Sequence, residues 1–182
     1  MNNTFHIVVM GVAGSGKSTV ASLIAQHLKR PMAEGDDFHN SKNIAKMSAG
    51  IALTDDNRAH WLSCIREWLN HQTEQNQPAV ITCSALRRQY RDFLQDGSGQ
   101  VQFVHLAGSP DLIRQRLQDR RNHFMPASLI PSQFIALEEL EPDELGTTLP
   151  IDNLPAEIAY ACLNKLGLVK SDDPKPWESS IE

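Results

Sequence analysis

Residues 5–28 read FHIVVMGVAGSGKSTVASLIAQHL. Inside this stretch Gly11, Gly16, Lys17 and Ser18 satisfy G-x-x-x-x-G-K-[ST], a pattern that a chain of this length meets by chance about once in a hundred times. The flanks carry as much information as the match. Phe5–Met10 is a short apolar, β-branched run, and from Lys17 onward Val20, Leu23, Ile24, His27 and Leu28 recur at helical spacing. A strand, a glycine-rich turn and a helix in that order form a loop that grips phosphates. Glycines let backbone N–H groups turn inward, and the helix N-terminus adds partial positive charge. Lys17 is placed to reach β- and γ-phosphates, and the Ser18 hydroxyl to ligate Mg²⁺. The expected nucleotide-binding set is therefore Gly11, Val12, Ala13, Gly14, Ser15, Gly16, Lys17, Ser18 and Thr19.

Beyond this loop strands and helices keep alternating. Strands are expected at Pro31–Glu34, Ala79–Cys83, Val101–Leu106 and Thr147–Ile151. Helices are expected over residues 40–48, Asp55–Gln75, Arg87–Leu94, Asp111–Arg121 and Pro155–Leu166. In the longest helix Trp61, Leu62, Ile65, Trp68 and Leu69 form an apolar stripe. Such alternation implies an α/β fold, a parallel sheet covered on both faces. The 182 residues suit one domain over 1–170, followed by a polar tail, SDDPKPWESSIE, at 171–182. The least regular region is NHFMPASLIPSQ, residues 122–133, with two prolines. It reads either as a lid that closes over a ligand or as a plain surface loop.

Composition narrows the function. The chain is 41% hydrophobic and 21% charged, enough for a real core, with no window apolar enough for a membrane span. Its N-terminus lacks the basic segment of a signal peptide. Cys64, Cys83 and Cys162 lie far apart in apolar contexts and read as reduced, buried thiols of a cytoplasmic protein. The net charge is −5, but residues 82–121 hold seven Lys and Arg against four Asp and Glu. A basic stretch within an acidic chain suits a small anionic ligand better than nucleic acid. A GTPase would carry Asn-Lys-x-Asp, and Asn164-Lys165-Leu166-Gly167 lacks the Asp. A small kinase and a bare nucleotide-binding module remain.

Ligands of an open α/β sheet sit beyond the carboxyl ends of its strands. There the second strand runs into Asp36 and Asp37, with His39 just after. Asp36 is a candidate to orient an acceptor hydroxyl and take its proton. The same acids also suit a turn. Arg58 and Arg87 both sit at helix starts, where a positive charge opposes the helix dipole, which hints at another use. Lys42 and Lys46 share a helix face. Arg88 and Arg91 have acids nearby and read as surface residues. Arg116, Arg120 and Arg121 lie where a helix enters the proline-containing segment. They could reach a nucleotide or simply complement a helix C-terminus.

Four strings together resemble the gluconokinase family of small P-loop carbohydrate kinases: GVAGSGKST (11–19), EGDDFHNSKNIAKMSAGIALTDDNRAHWL (34–62), CSALRRQYRDFL (83–94) and HFMPASLIPSQFIALEELEPDE (123–144). The resemblance implies a P-loop kinase fold with a five-stranded parallel sheet in order 2-3-1-4-5, helices on both faces and a mobile lid near 122–133. It implies ATP-dependent phosphorylation of D-gluconate at the 6-hydroxyl, with Mg²⁺, in a homodimer. Carried over residue by residue, Lys17, Asp36 and Arg120 are catalytic. Asp36, His39, Lys46, Arg58 and Arg87 line the sugar-acid pocket, while Arg116, Arg120 and Arg121 serve the nucleotide and lid. Four positions depart from the family's usual pattern. Asn40, Ala52 and His60 stand where it has Pro, and Asn57 where it has Asp. The lost prolines predict looser turns, and Asn57 predicts a different pairing for Arg58. The rival readings are a kinase for another sugar acid or a shikimate-like acceptor, and a non-catalytic nucleotide-binding module.

Overall fold

The apolar run ahead of the glycine-rich turn is the central strand, β1 (His6–Met10), and every residue in it is buried. Its side chains alternate between two cores, as strand geometry requires. Ile7 and Val9 join one cluster with Val20, Ile24, Ile113, Ile158 and Leu163. Val8 and Met10 join another with Trp61, Leu62, Ile65, Leu69, Tyr90 and Leu94. A strand buried on both faces must be apolar throughout, which is why this stretch shows no polar alternation.

The structure, a computed structural model, describes residues 4–97, 99–118 and 127–169. After β1 come α1 (Lys17–Leu28), β2 (Met32–Glu34), α2 (Ser41–Ser48), α3 (Asp55–Glu74), β3 (Val80–Thr82), α4 (Arg88–Gln95) and β4 (Val101–Ala107). Then follow α5 (Pro110–Gln118), α6 (Ile130–Ala136), β5 (Gly146–Pro150) and α7 (Pro155–Lys165). The strands pair in parallel in the order β2-β3-β1-β4-β5. Helices α1, α5 and α7 supply the first core, and α3 and α4 the second, so both faces are covered as expected. The carboxyl ends of the three central strands meet where the chain leaves β1 for α1.

Three sequence expectations need correction. Residues 127–136 are helical: a 3-10 turn at Ala127–Leu129 runs into α6. Pro131 lies in the first turn of α6, where a missing N–H costs nothing, so the proline that suggested a loop marks a helix start. Cys64 is half-exposed on α3, whereas Cys83 and Cys162 are buried. Arg91 lies in the interior. Its side chain is 1% exposed and pairs with Glu144, itself 5% exposed, through Nε to Oε1 and Nη2 to Oε2, the latter at 2.8 Å. Its remaining donors go to the carbonyls of Ala85, Glu138 and Glu139. Burial is the largest influence on Glu144 and works against ionising it, but the Arg91 hydrogen bonds, the Glu141 amide and the charges of Arg91 and Arg88 together hold the carboxyl below its usual range.

This buried pair ties the segment between α6 and β5 to α4. Removing one partner strands the other charge, a loss of about 3–5 kcal/mol. Arg91→Ala and Glu144→Ala should each lose stability on that scale in urea unfolding, whereas Arg114→Ala, which breaks a solvent-exposed pair with Asp111, should change it by less than ~1 kcal/mol.

Candidate active site

The turn from β1 into α1 is held open by close backbone approach. Gly11 has φ 139°, and a Cβ there would lie 2.9 Å from the Leu106 carbonyl of β4. Its N–H donates to Ser84 O at the end of β3. Gly16, at φ 94°, is the N-cap of α1, and residues 16–19 line the cleft, so the positive end of the helix dipole faces it. Lys17 Nζ donates to the carbonyls of Gly11 at 3.0 Å and Val12 at 3.1 Å, which places the ammonium across the loop's mouth.

One carboxylate beside this loop gave no sign in the sequence. Glu34, the last residue of β2, accepts from Ser18 Oγ at 3.1 Å and from Thr82 Oγ1 at 2.6 Å. Thr82 in turn accepts from Gly35 N at 3.1 Å. Only glycine fits at 35, because a Cβ would lie 2.1 Å from Thr82 O. A strand-end glutamate reads as ordinary in a sequence; its meaning comes from β2 and β3 ending together beside Ser18. The Ser18 hydroxyl and the Glu34 carboxylate are hard oxygen donors, the set that suits Mg²⁺.

The acceptor side is built on the 3-10 turn Gly35–Phe38 that follows β2. Asp36 and Lys17 line the same cleft, while Asp37 is absent from its lining. Trp61 Nε1 donates to Gly35 O at 2.6 Å, and His39 stacks on the Trp61 ring with centroids 4.4 Å apart and planes at 14°. Burial is the main reason that His39 is pushed down to about 4; Asp36 opposes the shift and Arg58 adds to it. The imidazole is therefore neutral at neutral pH. Arg58 lines the cleft too, donating to Leu53 O and lying 3.8 Å from Asp55.

Asp36, His39 and Arg58 thus come together. Lys46 and Arg87 lie off the lining, engaged one layer back. Lys46 Nζ donates to Asn57 Oδ1 at 2.9 Å, and Arg87 Nη1 to Asp55 at 2.8 Å. The hydrogen bond from Tyr90 is the largest reason that the Asp55 carboxyl is lowered, with Arg87 adding to it. The two asparagines that depart from the family pattern have local work. Asn40 caps α2 by accepting from Asn43 N at 2.9 Å. Asn57 closes a capping box with Thr54 at the start of α3.

On the nucleotide side Arg116 lies beside the loop: a Cβ on Gly16 would be 3.9 Å from its Nη1. Its Nη2 donates to Ile151 O, just past β5. Arg120, Arg121 and residues 122–126 lie outside the described residues, as does the tail 171–182. Leu129, Ser132 and Gln133 line the cleft from above the loop. Cys83, 2% exposed at the end of β3, is pushed up to about 12, mainly by burial; the Asp36 charge adds to the shift and Lys17 opposes it.

A strand–phosphate loop–helix unit facing an acceptor-side carboxylate in one cleft defines a P-loop kinase. A family model described as an AAA domain matches residues 7–126. A gluconokinase of Gluconobacter oxydans (strain 621H) is 47% identical over 138 residues, covering 76% of this chain and 78% of that one. A solved sugar kinase from Janibacter sp. HTCC2649 superposes with a TM-score of 0.88 at 44% identity, covering 91% of this chain and 96% of that one. A gluconokinase structure from Sinorhizobium meliloti 1021 gives 0.82 at 42% identity, covering 90% and 92%. The chain belongs to the gluconokinase family.

The depressed His39 has a thermodynamic signature. Between about 6.5 and about 4 the unfolded chain binds a proton that the folded one refuses, so folding stability falls as pH drops through that window. His6 and His105 are shifted the same way, mainly by burial. Comparing wild type with His39→Gln isolates one group: the variant's stability should fall less steeply from pH 6.5 to 4, by up to about 1.4 kcal/mol per pH unit in urea titrations.

Proposed function

We propose that this kinase transfers the γ-phosphoryl group of ATP to the 6-hydroxyl of D-gluconate, giving 6-phosphogluconate and ADP. The observation that carries the reading is Asp36 on the same cleft wall system as Lys17, in a chain of the gluconokinase family. The backbone amides of residues 14–18 and the N-terminus of α1 hold the phosphates. Lys17 leaves its loop carbonyls for the β- and γ-oxygens and stabilises the charge that develops there. Asp36 accepts the hydroxyl proton as the new O–P bond forms and the bond to the ADP oxygen breaks.

Arg58 is the cation on the acceptor side of the cleft and takes the substrate carboxylate. The His39 ring, neutral and fixed flat against Trp61, offers a hydrogen-bonding edge to a sugar hydroxyl without adding charge. Lys46 and Arg87 act through their partners. Asn57 and the α2–α3 connection hold one side, and Asp55 sets Arg58 from the other. Ser18 and Glu34 would hold Mg²⁺, which screens the phosphate charge when bound. Arg116, with Arg120 and Arg121, serves the nucleotide, whose base we place against residues 153–155 after β5 by analogy of fold.

The unit that performs this chemistry is one kinase domain over residues 1–170, acting as a homodimer in the cytoplasm. The family resemblance supports the dimer, and three free cysteines fit a reducing compartment. Among the described residues no helix is long and apolar enough to cross a membrane.

An ADP-release assay across a panel of sugar acids tests the reading. Gluconate should be the preferred acceptor. Lys17→Ala and Asp36→Asn should each lower turnover about 10²–10⁴-fold while remaining folded, and Arg58→Ala should raise the KM for gluconate more than that for ATP. Near-normal turnover in Asp36→Asn would remove the assigned base.

A further inference from the structure

The helix above the phosphate loop carries a side chain that neither the motif nor the acceptor chemistry uses. Gln133, on α6, accepts a hydrogen bond from the Ala13 backbone N–H through Oε1 at 2.7 Å. Ala13 is 7% exposed, so its N–H needs a protein or ligand partner; leaving it unmade would cost about 1–3 kcal/mol. The partner comes from 120 residues away in sequence.

Helix α6 is fixed at both of its ends. Leu129, just before it, forms a small cluster with Met47 of α2 and Leu53 of the α2–α3 connection, on the acceptor side of the cleft. Ile130 enters the main core. Just after α6, Glu138 N donates to Leu86 O at 2.7 Å. The roof is thereby joined to the acceptor-binding elements through Leu129 and to the nucleotide-binding loop through Gln133. Phosphoryl transfer depends on the distance between these two halves. Reacting atoms must approach to about 3–3.5 Å, and a misplacement near 1 Å costs about 10²-fold. A gap between the halves also admits water to the γ-phosphate.

We propose that Gln133 is a positioning residue of the transfer, which sets the register of the acceptor-side roof against the phosphate loop through the Ala13 amide. The proposal rests on the gluconokinase reading of the cleft. Gln133 carries no charge, so its contribution lies in geometry rather than in ground-state attraction for ATP. Losing it misaligns the acceptor and lets water compete.

The test uses the full chain and reads three quantities: gluconate-dependent turnover, KM for ATP, and the ratio of ATP hydrolysis to sugar-acid phosphorylation. In Gln133→Ala turnover should fall about tenfold, with KM for ATP within about twofold and a raised hydrolysis ratio. Gln133→Asn keeps the amide but is one methylene too short, and should match the alanine variant. Gln133→Glu keeps an acceptor oxygen at the same reach; it should keep the wild-type ratio while its charge raises KM for ATP. Wild-type turnover and ratio in Gln133→Ala, or in Gln133→Asn, would overturn the proposal. So would a loss that merely tracks a lowered melting temperature across all three variants. Failure of the wild-type protein to phosphorylate gluconate would instead overturn the assigned substrate, and the same ratios would then be read with the acid it does phosphorylate.

Discussion

A backbone carbonyl of β4 presses against the first residue after β1, and much of the molecule follows from that contact. With Leu106 O so close, residue 11 has no room for a side chain. The chain must leave the strand sharply and without bulk, and it then enters α1 through the left-handed Gly16. The result is a row of amides pointing at one place. Because β1 is the middle strand, the cradle sits at the centre of the sheet's carboxyl edge. Elements on either flank can therefore contribute groups to it: β2 and its 3-10 turn from one direction, the β5 end with Arg116 from the other.

The acceptor half has a similar origin. A missing side chain at Gly35 lets the end of β2 settle against Thr82, and the chain then turns immediately. Glu34, Asp36 and His39 are the polar groups that this turn brings to the cleft, and Trp61 from α3 holds its backbone in place. Two glycine contacts thus locate the phosphate loop and the turn after β2 relative to one sheet. The roof bridges them, and the buried Arg91–Glu144 pair secures the chain as it returns from the roof to β5.

What could be read in the sequence was whatever depends on neighbours along the chain. The phosphate loop, the five strands to within two residues and α1 to the residue follow from local periodicity and from glycine spacing. The place of Asp36 on the cleft wall was legible because such sheets open to ligands at their strand ends. What stayed hidden depends on distant partners. Arg91 looks like a surface residue until Glu144, 53 positions later, is set beside it. Lys46 and Arg87 look like pocket residues until Asn57 and Asp55 are seen to engage them. Helix α6 was masked by Pro131, whose position within the helix no local pattern discloses.

The thiol of Cys83 is the sulfur that feels the charges of both Lys17 and Asp36. Nucleophilic attack and oxidation by peroxides need the thiolate, and burial keeps this group protonated across the whole physiological range. Cys83 packs in the core behind the cleft lining, in one cluster with Val8, Met10 and Ile81, where the sulfur contributes volume and polarisability and offers no reactive anion. Insulation of this kind keeps this one thiol out of electrophile and peroxide chemistry.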